Sequence, residues 1–115
     1  MIGKRILIVD DSSIMRKMVR KLLDPTAHEI IGEAKSGKDA IEQYQSLDPD
    51  IVIMDVTMRG MDGFTAASEI LSIASHAKII FLSNLDQERY SDQVKSIKAL
   101  GFVSKYKVEE LLKLI

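Results

Sequence analysis

The chain predicts an α/β fold, one doubly wound five-stranded parallel sheet with helices on both faces, from two observations. Residues 6–9, 51–54 and 79–82 are short, wholly apolar and rich in β-branched side chains, the pattern of strands buried on both faces. These runs and two less uniform ones, 29–34 and 102–104, are each followed by apolar residues at helical spacing. Strict βα alternation with right-handed crossovers wraps helices over both sides of a parallel sheet.

The elements follow in order. After the first run, Ser12 or Ser13 can cap a helix whose apolar positions are Ile14, Met15, Met18, Val19, Leu22 and Leu23, and Asp24 with Pro25 stops it. The second strand region carries glutamates and suits a sheet edge; Gly37 opens a helix with Ala40, Ile41, Tyr44 and Leu47 on one face, ended before Pro49. The third run leads through a loop, 55–62, to a helix from Gly63 with Phe64, Ala67, Ile70, Leu71 and Ala74 inward. The fourth precedes a helix expected over 86–99, with Tyr90, Val94 and Ile97 inward and Gly101 breaking it. A last helix after Ser104 uses Val108, Leu111, Leu112 and Ile115. Charged second and fifth strand regions favour the order 2-1-3-4-5, with strands one, three and four central.

With 115 residues and no linker, repeat or change of composition, the expectation is a single domain over 1–115. Sixteen basic and seventeen acidic residues are mixed along the chain, which leaves no electrostatic footprint for nucleic acid or an anionic membrane. The absence of cysteine excludes disulfides, thiolate metal sites and cysteine nucleophiles. No apolar run approaches a signal peptide or a membrane span, so a cytoplasmic location without membrane insertion is expected.

Chemistry collects where the runs end. Asp10 and Asp11 follow the first, Asp55 the third, Ser83 the fourth and Lys105 the fifth, so all five should meet at the carboxyl edge of the sheet, where open α/β sheets build their sites. Asp10 and Asp11 alone would read as a solvated turn. Asp55, behind the buried Met54, needs compensation for its desolvation. Three carboxylates against one ammonium leave a formal charge of minus two, which a divalent ion would neutralise. Mg²⁺ suits the set because it prefers oxygen, takes few protein ligands and works with phosphate oxygens. The Ser83 hydroxyl and the Lys105 ammonium are the groups that hold phosphoryl oxygens during transfer. Met15, Met18, Met54, Met58 and Met61 read as core and loop anchors, and His28 and His76 as surface residues away from this edge.

The strings VDDSS, MDVTMRGMDGF, FLSN and GFVSKY together resemble the receiver domain of two-component response regulators over essentially the whole chain, and IMRKMVR is similar to the chemotaxis, CheY-like branch. The resemblance implies the flavodoxin-like strand order 2-1-3-4-5, with Asp55 as phosphoacceptor, Asp11 as a direct Mg²⁺ (or Mn²⁺) ligand, Asp10 holding the metal through water, and the backbone carbonyl of Thr57 completing the protein ligands. It implies Ser83 as switch hydroxyl, Lys105 as phosphate-pairing lysine, and Phe102 as the aromatic that responds when Ser83 moves. It further implies a sensor histidine kinase or phosphotransfer protein as donor, and a downstream target or output domain docking on the face of helix four, strand five and helix five. Any enzymatic activity would be limited to the protein's own phosphorylation and dephosphorylation.

The sequence departs from the family pattern at four places. Arg59 and Tyr106 stand where proline is usual, Asn84 is larger than the small residue usually found there, and Leu85 beside it is apolar. Without proline a cis bond costs about 2.5–4 kcal/mol, so a trans bond is expected between Lys105 and Tyr106, with a changed approach of the last helix. The departures motivate a second reading, a degenerate receiver that binds partners without phosphorylation. A flavodoxin-like cofactor site fits poorly, because Asp10 and Asp11 occupy the loop that would have to cradle phosphate.

Overall fold

The computed structural model describes residues 3–84 and 91–115. Five strands, β1 (Arg5–Val9), β2 (Glu29–Ala34), β3 (Ile51–Asp55), β4 (Ile79–Ser83) and β5 (Gly101–Ser104), form one parallel sheet in the order β2-β1-β3-β4-β5. Between them run α1 (Ser13–Leu23), α2 (Gly37–Leu47), α3 (Gly63–Ile73) and α4 (Ser91–Ile97), and a 3₁₀ segment, Lys105–Lys113, follows β5.

Strand pleating divides the core in two. Leu7, Val9, Val52, Met54, Ile79 and Phe81 point to one face, where Ala40 and Tyr44 of α2 and Ala66, Ala67 and Ile70 of α3 cover them. Their alternates Ile6, Ile8, Ile51, Ile53, Ile80, Leu82 and Val103 point to the other, under Val19 and Leu23 of α1 and Leu111 of the 3₁₀ segment. Both faces are therefore dry, which is why the three central runs are apolar at every position.

Caps start the helices where the sequence allows. Ser12, rather than Ser13, caps α1 by accepting from the Met15 N–H; Ser36 caps α2 through the Asp39 N–H, and Asp62 caps α3 through the Thr65 N–H.

The structure corrects four expectations. Ile14 and Met18 do not face inward: they are 71% and 43% exposed, and the buried stripe of α1 is Arg16, Val19 and Leu23, spaced by three and four. α4 ends at Ile97, before Ala99, because Lys98 takes a left-handed conformation (φ 59°) and its N–H closes on the Lys95 carbonyl; Gly101 already belongs to β5. The expected start of that helix at Asp86, with Tyr90, lies outside the described residues, as does Leu85, and the Val94 side chain is likewise not described. The last helix is 3₁₀, with a non-helical kink at Lys107. Val108 and Leu111, with Leu114 just past its end, recur every three positions, the period of that helix; Ile115 packs on the same core as expected, and Leu112 is left exposed. His28 is half-buried, its Nδ1 accepting the Lys4 N–H at 2.9 Å, whereas His76 is exposed as expected.

Gly63 ties the fold to the chemistry. Its N–H donates to the Val56 carbonyl at 2.8 Å, and a Cβ built on it would lie 2.0 Å from the carbonyl oxygen of Asp55. α3 starts this close to β3 only because the side chain is missing. Gly63→Ala is expected to destabilise the protein by about 1–3 kcal/mol, read as a lower urea midpoint, since the clash is with backbone and cannot be relieved by a rotamer. An unchanged midpoint would contradict the packing described.

Candidate functional site

Register brings the strand ends together. Val9 pairs with Met54, so Asp10 lies beside Asp55; Asp55 pairs with Leu82, so Ser83 lies one residue further along β4; and Ser83 pairs with Ser104, the residue before Lys105. Pleat parity then sorts the side chains. Asp10, Asp55 and Lys105 continue the face of Ile8, Ile53 and Val103, while Ser83 and Phe102 share the opposite face with Phe81.

Three carboxylates cluster as the sequence suggested: one oxygen from each of Asp10, Asp11 and Asp55 lies within 4.8 Å of the others. Asp10 and Asp55 are buried and Asp11 is exposed. Lys105 reaches both buried acids, its Nζ 3.0 Å from Asp10 Oδ2 and 3.1 Å from Asp55 Oδ1. The Ser12 N–H donates to Asp10 Oδ1 at 2.8 Å, and the Arg59 N–H makes a long contact of 3.4 Å to Asp11 Oδ2, tying the loop after β3 to the cluster. Among the described residues, Asp55 Oδ2 is buried with neither a hydrogen bond nor an ion pair.

A divalent cation is what such a donor set fits. An unpartnered buried carboxylate oxygen costs desolvation, and two further carboxylates beside it add repulsion that one ammonium does not cancel. Oxygen-only donors, with exposed Asp11 on the solvent side, suit an ion such as Mg²⁺ that retains waters.

The remaining expected residues are placed as follows. Ser83 is fully buried at the end of β4. Phe102 is half-buried in β5, packed against the core face that holds Phe81, its register partner. Thr57 is exposed in the loop two residues beyond Asp55. Asn84 is exposed next to Ser83. The peptide bond between Lys105 and Tyr106 is trans, and the Lys105 ammonium still reaches both acids. Tyr106, 82% exposed, donates its N–H to Ser104 Oγ, which caps the 3₁₀ segment and turns the chain without a proline.

Sequence reasoning overlooked Arg16 and Glu33. Arg16 is 9% exposed; its Nη1 donates to the Asp10 carbonyl at 2.7 Å and its Nε to Glu33 Oε1 at 3.0 Å. Glu33 also pairs with Arg20. The available signal was the spacing of Arg16 with Val19 and Leu23, which places the arginine on the core-facing stripe.

Residues 6–115 match the sequence model of the response regulator receiver domain. The chain belongs to that family, as a receiver domain of the CheY-like kind. It is 42% identical over 103 residues to the chemotaxis protein CheY of Thermotoga maritima, covering 90% of this chain and 86% of that one. To CheY of Bacillus subtilis it is 45% identical over 84 residues, 73% of this chain and 70% of the other. Among solved structures it superposes with TM-score 0.91 and 30% identity on a chain of a CheX–CheY–BeF₃–Mg²⁺ complex from Borrelia burgdorferi, covering 98% of this chain and 87% of that one. The five-stranded order found here is that of this family.

Burial first, then the Asp10 carboxylate, push the Asp55 pKa up to about 7, and Lys105 offsets only part of this. For Lys105, burial acts to lower the pKa but is outweighed by hydrogen bonding to Asp10 and the charges of Asp55 and Asp10, so the ammonium is held. In the unfolded chain an aspartate titrates near the ordinary value of about 3.9, so the folded protein binds this proton more tightly. The contribution of Asp55 to stability is therefore full below about pH 4 and is lost as pH rises through about 7. In EDTA the urea midpoint is expected to fall between about pH 5 and pH 8, millimolar Mg²⁺ to recover it, and Asp55→Asn to flatten the slope. A pH-independent midpoint in the metal-free wild type would contradict the assignment.

Proposed function

We propose that this receiver is a phosphorylation switch in which Asp55 is the phosphoacceptor. The observation that carries the reading is the buried Asp55 carboxylate, whose Oδ1 meets the Lys105 ammonium while its Oδ2 has no partner among the described residues, beside two further carboxylates. In this reading an Asp55 oxygen attacks the phosphorus of a phosphohistidine; the P–N bond breaks, the imidazole leaves with its electron pair, and an acyl phosphate forms. Asp10, Asp11, Asp55 and the backbone carbonyl of Thr57 would hold Mg²⁺ or Mn²⁺, which when bound would supply positive charge to the phosphoryl oxygens. Lys105 exchanges its contact with the Asp55 carboxylate for one with the transferred phosphoryl group. Ser83 donates its hydroxyl to a phosphoryl oxygen. Hydrolysis of the acyl phosphate resets the site, so the chemistry is confined to the protein's own modification.

The output is a change of binding. Ser83 and Phe102 project from the same face of neighbouring strands, so a movement of Ser83 toward the phosphoryl group alters the space available to the ring. Residues 1–115 act as one receiver unit, whose donor is a sensor histidine kinase or phosphotransfer protein. Its target, a separate protein or an output domain, docks over α4, β5 and the 3₁₀ segment. The reading places the protein in the cytoplasm with the kinase domain that carries the phosphohistidine. Among the described residues no helix is long and apolar enough to cross a membrane.

The alternative of a degenerate receiver draws on the departures at Arg59, Asn84, Leu85 and Tyr106. Lys105 nevertheless reaches Asp55 and the three acids remain together, which supports a working site. Incubation with acetyl phosphate and Mg²⁺ is expected to give a species heavier by about 80 Da by intact mass, absent in EDTA and in Asp55→Asn. No such species in the wild type would favour the phosphorylation-independent module.

A further inference from the structure

We propose that Arg16, locked in place by Glu33, is a positioning residue that sets the divalent-cation affinity of the Asp10–Asp11 pair through its grip on the Asp10 carbonyl. The inference rests on the reading of the three carboxylates as a cation site.

Arg16 lies on the buried stripe of α1, one turn past the Ser12 cap. Its guanidinium is planar and permanently charged, so it presents donors in a fixed fork. One arm donates to the backbone oxygen of Asp10 and the Nε to Glu33 on edge strand β2. Glu33 is itself held: Arg20 pairs with its other oxygen, and the Gln43 amide donates to its backbone carbonyl at 2.9 Å. Hydrogen bonding to Arg20 comes first among the effects that keep the Glu33 carboxyl below the usual range.

The Asp10 peptide is thus clamped on both sides. Its N–H donates to the Ala34 carbonyl at 3.0 Å, continuing the pairing of β1 with β2, and its carbonyl accepts from Arg16. With that backbone fixed, Asp10 Oδ1 accepts the Ser12 N–H, leaving Oδ2 aimed at Lys105 and the cluster. Two guanidiniums share the one Glu33 carboxylate, so positive charge remains beside the site, and R16K, which keeps that charge and loses the fork, separates geometry from potential. Groups that orient metal ligands in this way typically change affinity by about 10–100-fold when removed.

The test is Mn²⁺ titration by electron paramagnetic resonance on wild type, R16M, R16K, E33Q and R20A, with amide hydrogen exchange on the same proteins in EDTA. R16M is expected to weaken Mn²⁺ binding by about 10–100-fold and to lose protection at the Ser12 amide without metal present, while amides of α2 and β4 keep theirs. R16K, which carries the charge without the fork, should restore binding only in part. E33Q, which replaces the charged contact to the guanidinium by a weaker neutral one and keeps the core, should fall between wild type and R16M, and it carries the test if R16M does not fold. R20A loosens Glu33 from the solvent side while leaving the Arg16–Glu33 pair, and should weaken Mn²⁺ binding less than E33Q does. Wild-type affinity in R16M, or in E33Q where R16M does not fold, or full restoration by R16K, would overturn the proposal while leaving the cation site standing. No Mn²⁺ binding by the wild type would overturn the cation reading and the proposal with it.

Discussion

Two carboxylates taken out of water at the end of a parallel sheet share a single ammonium, and the geometry around them follows from that constraint. Lys105 lies 3.0 Å from Asp10 and 3.1 Å from Asp55, on strands that are not neighbours of its own. The span is possible because odd-numbered residues of β3 and β5 and even-numbered residues of β1 share one sheet face, so the three side chains project from the same side of the pleat. Each strand stops where its chemistry begins. A slip of one residue in any of them would send the side chain to the other face and leave a buried charge without its counterpart. The remaining negative charge is the reason the site suits a cation rather than a neutral ligand.

Two layers of restraint hold the acids in place. Below them, Gly63 lets α3 begin against the Asp55 carbonyl, and beside them Arg16 and Glu33 hold the Asp10 backbone. Above them the contacts are light: Asp11 is exposed and meets the loop after β3 through one long contact from Arg59. A rigid base under an open top suits a site where a cation and a large phosphodonor must come and go. Tyr106 in place of proline does not undo this arrangement, because Lys105 directly follows β5 and the Ser104 hydroxyl caps the turn there.

Most of the sheet was legible in the sequence, since wholly apolar runs of four residues between helical patterns admit few other readings, and the acids and lysine were legible because each directly follows such a run. Glutamates in the second strand region and the lysine that follows the fifth pointed to edges, and the order follows. Side-chain direction within helices was less accessible. In α1, Ile14 and Met18 are as apolar as Val19 and Leu23, and only the rotation of the helix against the sheet makes the first pair solvent-facing and brings Arg16 inside. A periodicity count treats a buried arginine as an interruption, so the Arg16–Glu33 pair became visible only with its partners in place. The 3₁₀ character of the last segment hid for a similar reason: Val108, Leu111 and Leu114 fit a three-residue repeat, but Leu112 and Ile115 obscure it in the sequence.

Carboxyl ¹³C chemical shifts followed against pH for Asp55, with and without saturating Mg²⁺, test the central claim most directly. Burial beside Asp10 should give the metal-free carboxyl an apparent pKa of about 7, and bound Mg²⁺ should move the transition well below that. An Asp55 that titrates near the ordinary value of about 3.9 in the absence of metal, with no response to Mg²⁺, would contradict the account of a buried carboxylate cluster built to be completed by a cation.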